Sequence, residues 1–212
     1  MAAMGIWRQP DGQVAPPRRR RIGVFGGTFD PIHVGHLIAA REAAERLGLD
    51  LVLLVPAGRP PHKCRRRLAP AADRIRMAAL AVRGDPLFRV SRIEVDARCV
   101  SYTAETLQRL RQDDRRPRLY LLIGADQAAL LGTWRDPARL FRLAAVCALS
   151  RPGYQPEWIH PRWRRRLRLV PVPAIEISAS DIRRRVGRGR EIRHLVPPAV
   201  ERYIMQHGLY RR

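Results

Sequence analysis

The chain has 212 residues, 46% of them hydrophobic, which suits one α/β domain with a proper core and excludes wholesale disorder. No apolar run approaches the ~20 residues of a membrane helix, the first twenty residues lack a secretory apolar stretch, and three cysteines (Cys64, Cys99, Cys147) without CxxC spacing indicate neither a disulfide framework nor a zinc site. The net charge of +22 points towards polyanionic partners, nucleic acid among them. One of the 41 basic residues is Lys63 and the rest are Arg spread along the whole chain, a pattern that coding bias also produces.

Residues 1–20 read as a disordered extension, and residues 21–212 as a single domain. Ile22 to Phe25 is a short apolar run that ends in glycines, as a buried strand does. Val34 to Leu47 carries Leu37, Ala40, Ala44 and Leu47 at helical spacing, and Gly48 ends the helix. Leu51 to Val55 is a second apolar strand, stopped by Pro56 and followed by a Pro- and Arg-rich loop to residue 70. The pattern then predicts a helix over Asp73–Val82, a strand over Val90–Val95 and a helix over Tyr102–Leu110 opened by Ser101. Strands follow at Leu119–Ile123, Ala144–Leu149 and Leu167–Val172. The tail from Ser178 reads as two short helices (178–208) parted by Pro197-Pro198. Continuous apolar strands alternating with helices predict a Rossmann-like, doubly wound parallel sheet with a small C-terminal helical element. Ligands of such sheets bind beyond the carboxyl ends of the strands, where strand order reverses.

The loop Gly26-Gly27-Thr28-Phe29-Asp30-Pro31-Ile32-His33-Val34-Gly35-His36 stands at the first such end. Paired glycines let backbone approach a ligand closely. They serve a plain tight turn equally well, and the loop is neither a Walker A sequence nor GxGxxG. His33 and His36 shift the balance. Spaced i, i+3 at a helix start, both rings can face one point, beside free N–H groups and the positive end of the helix dipole. That set of donors suits a phosphate. Capping, core packing or metal binding could also use a histidine pair, but no third ligand stands nearby in sequence.

The segment from Gly26 to Leu37 resembles the signature of the nucleotidyltransferase superfamily with its HxGH motif. Within it the chain is similar to the bacterial nicotinate-mononucleotide adenylyltransferases, from about Arg21 to Tyr210. The resemblance implies that Gly26, Gly27, Thr28 and Phe29 bind ATP and that His33 and His36 contact its triphosphate. Ile177-Ser178-Ala179-Ser180-Asp181-Ile182-Arg183 resembles the family's ISSTxIR block. Ser178 or Ser180 can cap the helix that follows, and Arg183 offers a forked donor set suited to phosphate. Ala179 departs from the family's second serine, and Ser180 stands where threonine is typical. Lys63 falls in Pro60-Pro61-His62-Lys63, which resembles the family's loop after the second strand, and its compact ammonium on a flexible stem suits a catalytic contact with phosphate.

The resemblance further assigns Tyr102, Thr103, Gly124, Asp126 and Trp134 to the mononucleotide. Donors near Thr103 would meet the nicotinate carboxylate, Asp126 the ribose hydroxyls or merely a helix N-cap, and the Trp134 ring the pyridine. The implied reaction joins ATP and nicotinate mononucleotide into nicotinate adenine dinucleotide and pyrophosphate. Mg²⁺ would be held through the ATP phosphates and by no protein ligand. The expected location is the cytoplasm. Phosphopantetheine or nicotinamide-mononucleotide adenylyltransfer are the near alternatives. A nucleic-acid-binding module driven by charge is the distant one, and it leaves the HxGH loop unexplained.

Overall fold

The computed structural model describes residues 19–58, 68–97, 102–114, 116–150 and 156–211. Strands β1 (Arg21–Gly27), β2 (Leu51–Pro56), β3 (Phe88–Val90), β4 (Arg118–Gly124), β5 (Ala145–Ser150) and β6 (Arg168–Pro171) form one sheet in the order β3-β2-β1-β4-β5-β6. Every neighbouring pair is parallel. The apolar runs alternate faces along each strand. Phe25, Tyr120 and Leu122 join one core, whereas Val24, Leu121 and Ile123 join the other.

Helices cover both faces, as the doubly wound expectation required. The first core receives α1 (Val34–Leu47) through Ala40 and Ala44, and α2 (Ala71–Ala81) through Met77 and Ala78. It also takes Ile182 of α8 (Ala179–Val186) and Val200 and Ile204 of α9 (Pro198–Gln206). The second receives Leu107 of α4 (Thr103–Asp113), Ala128 of α5 (Ala125–Ala129), Leu140 of α6 (Pro137–Leu143) and Trp163 of α7 (Pro161–Arg164). No helix among the described residues is long and apolar enough to cross a membrane. Residues 1–18 of the expected extension lie outside the described residues.

One predicted element changes type. The strand expected over Val90–Val95 is β3, Phe88–Val90, and Ile93–Asp96 is a short helix, α3. The alternation Ile93-Glu94-Val95-Asp96 imitates a strand. β3 is an edge with β2 as its one neighbour, and the Ser91 N–H makes the last rung to Leu54 O. The Ser91 hydroxyl then accepts from the Ile93 N–H at 3.4 Å and turns the chain.

Helices α5, α6 and α7 add to the predicted set. They are too short for periodicity to reveal. Local caps make α6 and α7: Asp136 and His160 each accept from a backbone N–H two or three residues on, and Pro137 and Pro161 occupy first helical positions. The sheet centre is the least forgiving part of this packing. Leu54, fully buried on β2, should cost about 2–5 kcal/mol when replaced by Ala. A lowered midpoint in urea unfolding at constant slope is the expected outcome.

Candidate active site

β1 and β4 are neighbours at the point where strand order reverses, so their carboxyl ends open a crevice between helices of opposite faces. A cleft of about 650 Å³ lies there. Its walls include Gly26, the His33–His36 turn, the Gly124–Gln127 turn after β4, Trp158, and Ser178 and Ala179 at the start of α8. Four segments distant in sequence thus meet around one space.

The first wall is built by close approach. A Cβ on Gly27 would lie 2.9 Å from the Phe29 ring. Phe29 is itself buried with φ 48, beneath His36, its ring edge-on to the imidazole at 5.2 Å between centroids. A Cβ on Gly35 would lie 3.2 Å from His33 Nδ1 and 3.4 Å from Ile175. The glycine between the two histidines therefore makes room for the first ring.

His33 is the N-cap of α1, 5% exposed, and its ring stacks on that of His36 at 3.6 Å and 24°. The His33 N–H donates to His36 Nδ1 at 3.3 Å. In a neutral imidazole this leaves the proton on Nε2, so His36 presents an N–H donor. The Val34 N–H is held by Leu195 O at 3.1 Å, which ties the start of α1 to the C-terminal element.

Behind the loop is a buried polar cluster. Asp30 is 1% exposed, and its Oδ1 accepts from the Tyr210 hydroxyl at 2.7 Å and the Ala69 N–H at 3.2 Å. Arg183 Nη1 donates to the Asp30 carbonyl and lies 3.5 Å from Oδ2, while Nη2 reaches Ser180 Oγ at 3.2 Å. Arg74, 2% exposed, donates to the carbonyls of Ala69, Thr28, Ala57 and Gly58. Burial pushes its pKa down, and the Asp30 carboxylate raises it in part. Burial, then Asp30, pushes the Tyr210 phenol well up, against the pull of Arg183 and Arg74.

Residues 24–185 match the cytidylyltransferase-like family model. A protein of Thermomicrobium roseum is 47% identical over 90% of this chain and 92% of its own length, and one of Thermus thermophilus is 48% identical over 90% of this chain and all of its own. Both bear the name probable nicotinate-nucleotide adenylyltransferase. The chain belongs to the nicotinate-nucleotide adenylyltransferase family. Its fold is also that of a Plasmodium falciparum nicotinic acid mononucleotide adenylyltransferase complexed with NaAD, with TM-score 0.75, 17% identity, and 90% and 97% of the two chains covered. The same Plasmodium enzyme complexed with APC matches at TM-score 0.72 and 18% identity, over 90% of this chain and 97% of that one.

In this adenylyltransferase family member the expected residues fall into groups. Gly26, His33, His36, Gly124, Asp126 and Ser178 line the cleft together. Ser178 is the N-cap of α8 and accepts from the Asp181 N–H at 3.1 Å. Asp126 is exposed in the first turn of α5, whose N-cap is Gly124, so its carboxylate caps nothing there. Thr28, Phe29, Ser180 and Arg183 stand behind the loop, outside the walls of this cleft. Tyr102 is the N-cap of α4, Thr103 its first residue, and Trp134 packs half-buried on the second core. None of these three lines this cleft, but Arg135, next to Trp134, lies over the Tyr102 ring at 4.6 Å and keeps the two segments adjacent. Lys63 and Ser101 lie outside the described residues.

The sequence reading did not single out Gln127 and Trp158 in the walls, nor Asp30, Arg74 and Tyr210 behind them. Asp30 stands inside the Gly26–His36 motif, which is its one signal in sequence. Among the described residues no three His, Cys, Asp or Glu side chains cluster as a metal site would.

The Tyr210 shift has a consequence for stability. A phenol whose folded-state pKa lies above its ordinary 10.0 contributes fully below that pH, and the contribution is lost as pH rises past it. Tyr203, bonded to Asp73, shifts in the same direction. The urea midpoint should therefore fall from about pH 9 to about pH 11, with a shallower fall in Tyr210→Phe. Equal slopes in the two proteins would count against the buried Tyr210–Asp30 bond.

Proposed function

We propose that this chain transfers the adenylyl group of ATP to nicotinate mononucleotide, a step of NAD biosynthesis that gives nicotinate adenine dinucleotide and pyrophosphate. The observation that carries the reading is the stacked His33–His36 pair, with its Nε2 donor, opening into one cleft with Asp126 and Ser178. Family membership supplies the substrate pair. An oxygen of the mononucleotide phosphate attacks the α-phosphorus of ATP. A new P–O bond forms as the bond to the β-phosphate oxygen breaks, and that oxygen leaves with the pyrophosphate. No protein nucleophile is needed, so the protein positions the reactants and stabilises charge.

His36 Nε2–H and the Gly35 N–H in the first turn of α1 would hold the triphosphate, with Gly26 and Gly27 letting it come close. Ser178 and the start of α8 would hold its far side. Lys63 and Arg183 are assigned to the phosphates by resemblance. Arg183 reaches that task by holding the Asp30 carbonyl, hence the loop, in addition to any direct contact. Asp126 would accept from ribose hydroxyls. Tyr102, Thr103 and Trp134 are assigned to the nicotinate end, supported by the Arg135 bridge between their segments. Asp126 is the one carboxylate among the described residues of the cleft wall. Such a donor set cannot cage a cation alone, so Mg²⁺ would be held by the ATP phosphates, where it screens their charge. We place the activity in the cytoplasm.

A pyrophosphate-release assay tests the whole reading. ATP with nicotinate mononucleotide should give rapid release, and nicotinamide mononucleotide or phosphopantetheine slower release. Absence of release with nicotinate mononucleotide would overturn the assignment. His36→Ala should lower kcat by about 10²–10³ with an unchanged circular dichroism spectrum. Near-normal kcat in that variant would exclude a direct contact with developing charge.

A further inference from the structure

The β1–β2 ladder pairs Gly27 with Pro56 at its end, and its last backbone rung is the Ala57 N–H donating to Gly27 O at 2.8 Å. Beyond that rung β1 continues into the His33–His36 loop and β2 into Ala57 and Gly58. The next acceptors on both chains are taken by one side chain. Arg74 Nη1 donates to Thr28 O at 2.9 Å and to Ala57 O at 2.7 Å, and Nη2 donates to Gly58 O at 3.3 Å. Arg74 Nε donates to Ala69 O at 3.1 Å, where the chain returns towards α2. The Ala69 N–H goes to Asp30 Oδ1, back on the first loop.

This use of arginine is costly if stability is its sole purpose. Arg74 lies on the inner face of α2 with Met77 and Ala78, where an apolar side chain would bury at no charge penalty. All four acceptors are neutral carbonyls, and Asp30 supplies charge compensation without a direct bond. What the guanidinium provides is a rigid planar fork with five donors, which fixes several acceptors relative to one another. An ammonium or an amide cannot hold that geometry.

We propose that Arg74 is a positioning residue for adenylyl transfer, setting the Thr28 end of the histidine loop against the Ala57–Gly58 end of β2 by replacing the missing rungs of the ladder. It does not line the cleft, so it acts through the loop. Fixing Thr28 fixes Phe29, whose ring packs perpendicular to that of His36, and thereby the Nε2 donor. The inference rests on the adenylyltransferase reading above for its kinetic consequence, but not for its structural one.

The test uses the full-length chain with Arg74→Lys, Arg74→Met and Arg74→Ala. Arg74→Lys should fold and lose about 10–100-fold in kcat, the cost of a small misplacement of reacting groups, with a much smaller change in KM. Hydrogen exchange should quicken at residues 28–36 and 57–58 and stay unchanged in β5. Millimolar guanidinium should restore part of kcat to Arg74→Ala, and ammonium at the same concentration should not.

A lowered urea midpoint with unaltered kcat per folded molecule, and no selective change in exchange, would overturn the proposal. Loss of folding in both Arg74→Lys and Arg74→Met would overturn it too, because Arg74 would then be a requirement of the fold. If the wild-type chain releases no pyrophosphate, the functional reading fails by itself. The exchange pattern of Arg74→Lys still decides whether Arg74 holds the two loops.

Discussion

A parallel ladder satisfies backbone groups only as far as its strands run side by side. In this protein the rung from Ala57 to Gly27 is the last one between β1 and β2, and the groups past it need other partners. The local structure of the site follows from how those partners are supplied. Gly27, the last residue of β1, leaves room for the Phe29 ring. Phe29 turns down into the core with positive φ, and Asp30 turns inward behind it. The freed carbonyls of Thr28, Ala57 and Gly58 go to Arg74. Only after this accounting is complete does α1 begin, with its first turn facing the switch-point cleft.

The same constraint explains why the C-terminal element belongs to the site although it contributes few residues to the walls. A buried carboxylate needs several donors. Asp30 Oδ1 accepts from the Tyr210 hydroxyl and the Ala69 N–H, 180 and 39 residues away, and the Arg183 guanidinium, 153 residues away, bonds the Asp30 carbonyl and lies 3.5 Å from Oδ2. Leu195 holds the first N–H of α1. The tail therefore closes the polar side of the histidine loop, while Ile182, Val200 and Ile204 close its apolar side. Removing the polar half would leave buried polar groups unpaired, which costs more than the contacts themselves return.

Much of this architecture was legible from residue order, for a physical reason. β1, β2, β4 and β5 are buried on both faces, so their apolar runs are unambiguous. β3 is an edge, and its sequence continues an alternation that the backbone abandons at Ser91. α5 to α7 depend on single caps such as Asp136 ahead of Pro137, a local signal that periodicity does not weigh. In the site, the histidine spacing and the serine cap were visible because each works within one helical turn. Arg74 was not. Its role is decided by acceptors 46, 17, 16 and 5 residues away, and nothing distinguishes it in sequence from the other arginines.

The distribution of charge bears on how such a site would work. The chain carries a net charge of +22, yet no arginine stands among the described residues that line the cleft. The donors that the described wall offers an anion are the His36 imidazole and backbone N–H groups in the first turns of α1 and α8, with Arg183 behind the wall. A mobile guanidinium in the wall would grip the triphosphate as strongly before reaction as during it, and uniform binding of that kind does not raise kcat. Donors fixed by stacking, capping and the Arg74 fork are already oriented, so they need no reorganisation as charge develops. A net positive charge outside the cleft would act at longer range, lowering the cost of bringing two anionic substrates to one surface, an effect that salt screens within roughly 10 Å. On the adenylyltransferase reading, long-range charge would favour encounter, and the fixed dipoles of the cleft would join Lys63 and Arg183 in stabilising charge as it develops.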